Sequence, residues 1–242
     1  MKILAIIPAR YDSTRFPGKP LVDIKGTSMI QRVYQQAKKC KSFSDVMVAT
    51  DDERIFSHVE SFGGKVMMTK KEHTSGTDRC AEVLAKMTEA YDAVINVQGD
   101  EPFIQPEQLE QVIACFKNEK TEIATLVKKI STTDDLLNIN LPKVVFNKNF
   151  KAIYFSRLPI PGQKSTDPES WVKNHQYYRH IGLYGYRAKT LKEIALLASS
   201  PLELIESLEQ LRWLEAGYTI TVGITEYDSI GIDTPSDLEK VK

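Results

Sequence analysis

Three cationic side chains, Arg10, Arg15 and Lys19, stud the loop that runs from Pro8 to Pro20 and also carries Pro17 and Gly18. Guanidinium and ammonium groups gathered on one loop suit phosphate oxygens, and a triphosphate needs that much positive charge. The loop has neither the GxGxxG of a dinucleotide site nor the GxxxxGK[ST] of a P-loop, so phosphates here would be met by side-chain charge as well as by backbone N–H groups. A solvated basic turn is the plain alternative. The loop's place, directly after a buried strand, favours the anion site, because open α/β sheets bind ligands at the carboxyl ends of their strands.

Two carboxylates suit a hard cation. Asp100 stands just past the apolar run 93–97, and Gln98-Gly99 lets the backbone bend toward that sheet edge. Asp233 is left over in Gly-Ile-Asp-Thr-Pro once local helix chemistry is assigned: Thr234 reads as an N-cap, Pro235 as the first helical residue and Asp237 as the partner of a capping box. Magnesium takes one or two carboxylates and fills its other positions with phosphate and water. Each aspartate also reads as a turn residue, and Glu101 as fixed before Pro102. A third block, His73-Thr-Ser-Gly-Thr-Asp-Arg79, joins a strand to a helix. Ser75 and Thr77 can cap that helix, while Gly76 allows a ligand edge to approach the backbone.

These groups have to be positioned by something. Residues 2–7 are almost wholly apolar, the pattern of a strand buried on both faces. A helix capped by Ser28, a strand over 46–49, a helix ending at Gly63-Gly64, and a strand over 65–68 follow. A helix from about Asp78 to Met87, the strand 93–97 and a helix opened by Pro106 continue the alternation. It predicts an α/β fold with a doubly wound, mostly parallel sheet. From about Leu141 three strand-like runs (144–146, 152–155, 181–186) come without helices between them, so a small β-rich insertion is expected at about 141–188 of a single domain spanning 1–242. Residues 162–174 are polar and read as a mobile surface loop that could act as a lid. Helical spacing returns at Leu204, Ile205, Leu208 and Leu211, followed by a strand at 219–224 and a closing helix from Pro235.

Lys+Arg and Asp+Glu each number 32, giving a formal net charge of zero, so no overall field draws the chain to nucleic acid or to an anionic membrane. Any anion must be held locally. Cys40, Cys80 and Cys115 are scattered and odd in number, which suits free thiols in a reducing compartment. The apolar opening is too short for a signal sequence, and no run approaches a membrane span. A cytoplasmic protein is expected.

Five ordered blocks, Ile-Ile-Pro-Ala-Arg-Tyr, Ser-Thr-Arg-Phe-Pro-Gly-Lys-Pro-Leu, Ser-Gly-Thr-Asp-Arg, Val-Gln-Gly-Asp-Glu-Pro and Gly-Ile-Asp-Thr-Pro, resemble the 3-deoxy-manno-octulosonate (Kdo) cytidylyltransferases over nearly the whole chain. The resemblance implies a nucleotide-diphospho-sugar transferase-like fold, CTP and Kdo as substrates, Mg2+, a homodimer and a step in making the lipopolysaccharide inner core. By resemblance, Pro8, Ala9, Arg10, Arg15, Lys19, Ser75, Gly76 and Arg79 bind the nucleotide, with Arg10, Arg15, Lys19 and Asp100 catalytic. Asp100 and Asp233 match the metal positions. Gln98, Arg157, His180, Tyr184, Glu209 and Gln210 match sugar-binding positions, the insertion serving sugar binding and dimerisation. Asp78 departs from the commoner Glu and is given no contact. Plain readings stand beside these: His180 as a packing histidine, and Glu209 as the partner of Arg212 three residues on.

Related enzymes acting on amino-substituted Kdo or a sialic-acid-like sugar remain alternatives, as does a non-catalytic nucleotide-binding protein. A sialic acid type would show a Lys-Asn pair near Lys19, and a transferase for sugar-alcohol phosphates a glycine-rich loop. An NAD-dependent dehydrogenase lacks its glycine fingerprint here. The mechanism expected is in-line attack of the sugar's anomeric hydroxyl on the α-phosphorus of CTP, with no covalent enzyme intermediate.

Overall fold

The computed structural model describes residues 1–12, 16–164, 166–228, 231–239 and 241. Its strands, in chain order, are β1 (Ile3–Ala9), β2 (Asp23–Ile24), β3 (Thr27–Ser28), β4 (Asp45–Thr50), β5 (Val66–Met68), β6 (Ala93–Asn96), β7 (Ile123–Lys129), β8 (Lys143–Phe146), β9 (Ala152–Ser156), β10 (Tyr178–Arg187) and β11 (Ile220–Ile224). The helices are α1 (Met29–Lys39), α2 (Glu53–Ser61), α3 (Gly76–Lys86), α4 (Pro106–Cys115), α5 (Thr133–Leu137), α6 (Trp171–Asn174), α7 (Ala188–Ile194), α8 (Pro201–Glu206), α9 (Gln210–Glu215) and α10 (Pro235–Glu239). They form two compact units: Met1–Glu110 with Leu183–Ala195 and Ser229–Lys242, and Gln111–Gly182 with Leu196–Asp228.

In the first unit β1 pairs in parallel with both β4 and β6, and β4 with β5, while residues 184–187 of β10 run antiparallel to β6. Leu4, Ala5, Ile6 and Ile7 are without exposure because helices cover β1 on both faces. α1 turns Met29, Ile30, Val33 and Ala37 inward, and Ser28 accepts the Gln31 N–H as its cap. In the second unit β11 and β7 are parallel, and β8 pairs antiparallel with β9 and with β10 at Arg179. The mostly parallel α/β expectation holds for the first unit, and the β-rich character belongs to the second. Of the segment expected as an insertion, 141–182 lies in the second unit, which begins well before it at Gln111, and the remainder lies in the first.

Two expectations are corrected. Within the stretch expected as a mobile surface loop, Pro168–Ser170 form a 3-10 turn and Trp171–Asn174 form α6. Trp171 stacks on Tyr177 and, with Val172, packs against Ile130, Leu136 and Tyr177. The helix expected through 204–211 is two short helices, because Ser207 takes a left-handed conformation (φ 52°) between α8 and α9. That break turns the carbonyls of Glu206 and Ser207 toward the guanidinium of Arg157, which bonds both.

Candidate active site

The carboxyl ends of β1 and β6 and the N-terminus of α3 enclose a cavity of about 230 Å³ in the first unit. Pro8, Ala9, Arg10, Lys19, Ser75, Gly76, Arg79, Gln98, Asp100 and Asp233, all expected from the sequence, line it. Arg15 lies outside the described residues.

Glycine geometry shapes two of its walls. A side chain at Gly99 would bring a Cβ within 2.5 Å of the Pro8 carbonyl oxygen, so only glycine lets the turn carrying Asp100 fold against the end of β1. Gly18, at φ 71°, donates its N–H to the Tyr11 carbonyl and starts the turn that returns Lys19 to the cavity. There the Lys19 Nζ donates to Asp100 Oδ2 at 2.7 Å and to Asp233 Oδ1 at 3.1 Å.

Asp233 comes from far along the chain, and apolar packing delivers it. Ile232 and Leu238 are buried with Ile24 and Met29, backed by Phe16, Val22 and Phe103, and the Ile232 N–H donates to the Asp100 carbonyl at 2.9 Å. Thr234 and Asp237 form the expected capping pair, Thr234 N–H donating to the Asp237 carboxylate and Asp237 N–H to the Thr234 hydroxyl. That leaves the Asp233 carboxylate directed at Lys19. Two carboxylates that converge on one ammonium make a fitting pair for a divalent cation, since Mg2+ needs only one or two from the protein. Among the described residues no larger cluster of metal-ligating side chains occurs.

The β5–α3 block plays two roles. Ser75 caps α3 by accepting the Asp78 N–H, and Asp78 returns the bond to the Ser75 N–H, so Asp78 is spent on the cap. Arg79 is 3% exposed, with its guanidinium on Thr69 Oγ1, the Lys70 carbonyl and the Asp51 carboxylate. Its side chain braces the wall of the cavity.

Among the residues matched to sugar positions, Gln98 lines the cavity, and Tyr184 lies in the first unit opposite Asn96 on β6, stacked on Tyr186. The other four stand in the second unit. Arg157 donates Nε to the Glu206 carbonyl at 2.6 Å and its two terminal nitrogens to the Ile139 and Ser207 carbonyls, both at 3.1 Å. The Arg157 N–H and the Ser156 hydroxyl both go to the Glu206 carboxylate. His180 Nε2 bonds Thr125 Oγ1 at 2.9 Å and the ring meets Phe155 edge-on; burial lowers its pKa to about 3, so the ring is neutral. Glu209 pairs with Arg212 at 2.7 Å, as the plain reading expects. Gln210 is 4% exposed, yet its Nε2 has no hydrogen-bond partner among the described residues, an open donor inside the unit.

Sequence reasoning did not single out Lys143, an unexposed lysine on β8 whose Nζ donates to the Asn138 carbonyl at 2.8 Å. Burial, reinforced by nearby Arg157, lowers its pKa to about 8.

Residues 4–220 match the cytidylyltransferase family model. A 3-deoxy-manno-octulosonate cytidylyltransferase of Bacteroides thetaiotaomicron is 58% identical over 242 residues, covering 99% of this chain and 96% of that one. The chain belongs to the 3-deoxy-manno-octulosonate cytidylyltransferase family. It is accordingly an enzyme of the nucleotidyltransferase class. A solved CMP:2-keto-3-deoxy-manno-octonic acid synthetase complexed with CTP is 42% identical and superposes with a TM-score of 0.92, covering 100% of this chain and 97% of that one. The 4-diphosphocytidyl-2C-methyl-D-erythritol synthase of Anaerococcus prevotii, 13% identical at a TM-score of 0.64 over 99% of this chain and 96% of that one, shows the fold alone.

Proposed function

We propose that the protein transfers the cytidylyl group of CTP to Kdo, releasing pyrophosphate and CMP-Kdo for lipopolysaccharide inner-core synthesis. The observation that carries this reading is the convergence of Lys19, Asp100 and Asp233 in the cavity at the carboxyl ends of β1 and β6. Asp100 and Asp233 would hold Mg2+, which supplies Lewis-acid polarisation of the α-phosphate and lowers the pKa of the attacking hydroxyl. Two of the three Lys19 N–H donors face the carboxylates, leaving one for a phosphate oxygen. Arg10 adds charge for the pyrophosphate, and Arg15 belongs to the same loop.

The Kdo anomeric oxygen forms its bond to the α-phosphorus as the bond to the bridging oxygen of pyrophosphate breaks, and the hydroxyl proton passes to solvent. Orientation and charge neutralisation supply the rate rather than a side-chain base. Gln98 and Tyr184 of the first unit are assigned to the sugar; Arg157, His180, Glu209 and Gln210 of the second unit are carried to the same role by the resemblance alone. The unsatisfied donor of Gln210 supports a polar ligand there. Ser75, Gly76 and Arg79 frame the nucleotide, with Pro8 and Ala9 beside it.

The protein works as a homodimer in the cytoplasm, with no nucleic acid or membrane partner. Support for the dimer comes from Ile139, Leu158 and Ile205, which are 56%, 63% and 81% exposed and adjoin residues tied together by Arg157, an apolar surface suited to a second copy. Cys40, Cys80 and Cys115, all reduced thiols, suit a reducing compartment. Among the described residues no helix is long and apolar enough to cross a membrane. Pyrophosphate release measured with CTP, UTP, ATP and GTP against Kdo, its 8-amino analogue and sialic acid tests the reading. CTP with Kdo is expected to give the highest kcat/KM; preference for another pair would replace the substrates, and release with none would leave a binding protein.

A further inference from the structure

The loop between β5 and α3 carries a histidine that has no part in the roles above. His73 lines the cavity of about 230 Å³ and also a neighbouring one of about 130 Å³, whose walls include Tyr11, Asp12, Asp51 and Asp52. Its Nε2 lies 2.5 Å from Glu82 Oε2 on α3. Glu82 accepts the Lys70 N–H at 2.9 Å as well and pairs with Lys86 at 2.7 Å. Burial works to raise the Glu82 pKa, but the bonds from Lys86, the Lys70 N–H and His73 outweigh it and hold it down to about 2. Glu82 is therefore a standing anion that only accepts. His73 Nε2 must carry the hydrogen between them, and in the neutral ring Nδ1 becomes the acceptor.

We propose that His73 is a specificity-determining residue: its Nδ1 accepts a hydrogen bond from the 4-amino group of the cytosine ring and meets the 4-oxo group of uracil as acceptor against acceptor. The proposal rests on CTP as the nucleotide. Lys19, Arg10 and the Asp100–Asp233 pair already provide for the triphosphate and its metal. The second cavity is lined by Arg10, Lys71 and Arg79 as well as by Asp12, Asp51 and Asp52, with Asp51 paired to Arg79 and Asp52 to Arg54, a charge-balanced polar wall in which an amino donor can be met by the Nδ1 of His73. An acceptor left without its donor in such a site weakens the wrong nucleotide by about 10- to 100-fold.

Two substitutions separate the ring's two nitrogens. In H73Q the amide nitrogen reaches the place of Nε2, keeps Glu82 and leaves nothing at Nδ1. In H73N the amide reaches the place of Nδ1 and gives up Glu82. The readout is the CTP:UTP ratio, taken both as kcat/KM for pyrophosphate release and as calorimetric affinity for each nucleotide, so that it stands without the sugar. H73Q is expected to lower the ratio by about 10- to 100-fold, H73N to retain more of it, and E82Q, which loosens the fixed tautomer, to lower it several-fold. An unchanged ratio in H73Q, with both nucleotides weakened equally or neither weakened, overturns the proposal. Should H73Q fail to fold, E82Q takes its place, an unchanged ratio there again counting against the proposal. Wild-type protein that binds no CTP would instead sink the nucleotide reading itself, and the proposal with it.

Discussion

The two units treat their polar side chains in opposite ways. In the first, Lys19, Asp100 and Asp233 meet at the cavity wall with side chains 13%, 32% and 46% exposed, and the burden of holding them there falls on other residues, Gly99 and the apolar cluster around Ile232. In the second, the side chains matched to the sugar also hold the unit together: Arg157 ties three carbonyls, Glu209 an arginine and His180 a threonine. Groups freed from structural duty can be changed with little cost to folding. Groups that carry both duties cannot, and their substitutions will mix the two effects.

The largest expected effect tests the first half of that contrast. D100N should lower Mg2+-dependent turnover by at least about a thousandfold, roughly 4 kcal/mol of transition-state stabilisation, while its denaturation midpoint stays near wild type. A parallel fall in stability would show that Asp100 is structural too. R157A should behave differently, losing about 1–2 kcal/mol of stability in urea unfolding because the part-buried bond to the Glu206 carbonyl and the more exposed ones to Ile139 and Ser207 lose their donor, along with turnover. If R157A lost turnover at wild-type stability, the dual role assigned to it would be wrong. G99A places a methyl against the Pro8 carbonyl and should cost about 1–3 kcal/mol, joining the supports of the first unit to the class that moves both readouts.

A further effect is electrostatic. Lys143 has its pKa lowered from 10.5 to about 8 in the fold, so between those values the unfolded chain holds a proton that the folded chain has released. Stability of the wild type relative to K143M should therefore rise with pH from about 8 to 10.5. A flat difference across that window would mean the ammonium is not desolvated.

How much of this was legible in the sequence divides along the same line. β1, β4 and β6 are apolar on both faces, and the loops at their carboxyl ends carry the charged residues, so the first unit's alternation and its Lys19 and Asp100 could be read locally. Asp233 was isolated by the capping chemistry of Thr234 and Asp237, which the structure repeats. The second unit depends on distant partners. β7 pairs with β11 almost a hundred residues later, α6 hides its packing in a polar stretch where only Trp171 signals a core, and the break at Ser207 answers to Arg157 fifty residues earlier. His73 and Glu82 were missed for the same reason. The histidine stood inside a block already singled out, but its partner lies nine residues on, across the start of α3, with no periodic pattern to join them.

The most direct test of the central claim is a Mg2+ titration of pyrophosphate release from CTP and Kdo by the wild type, D100N and D233N. Saturable metal dependence in the wild type, with the response abolished in D100N and weakened or lost in D233N at unchanged stability, is the result expected of carboxylates that share one cation. Full turnover without added metal after chelation, or a wild-type response in either variant, would contradict it.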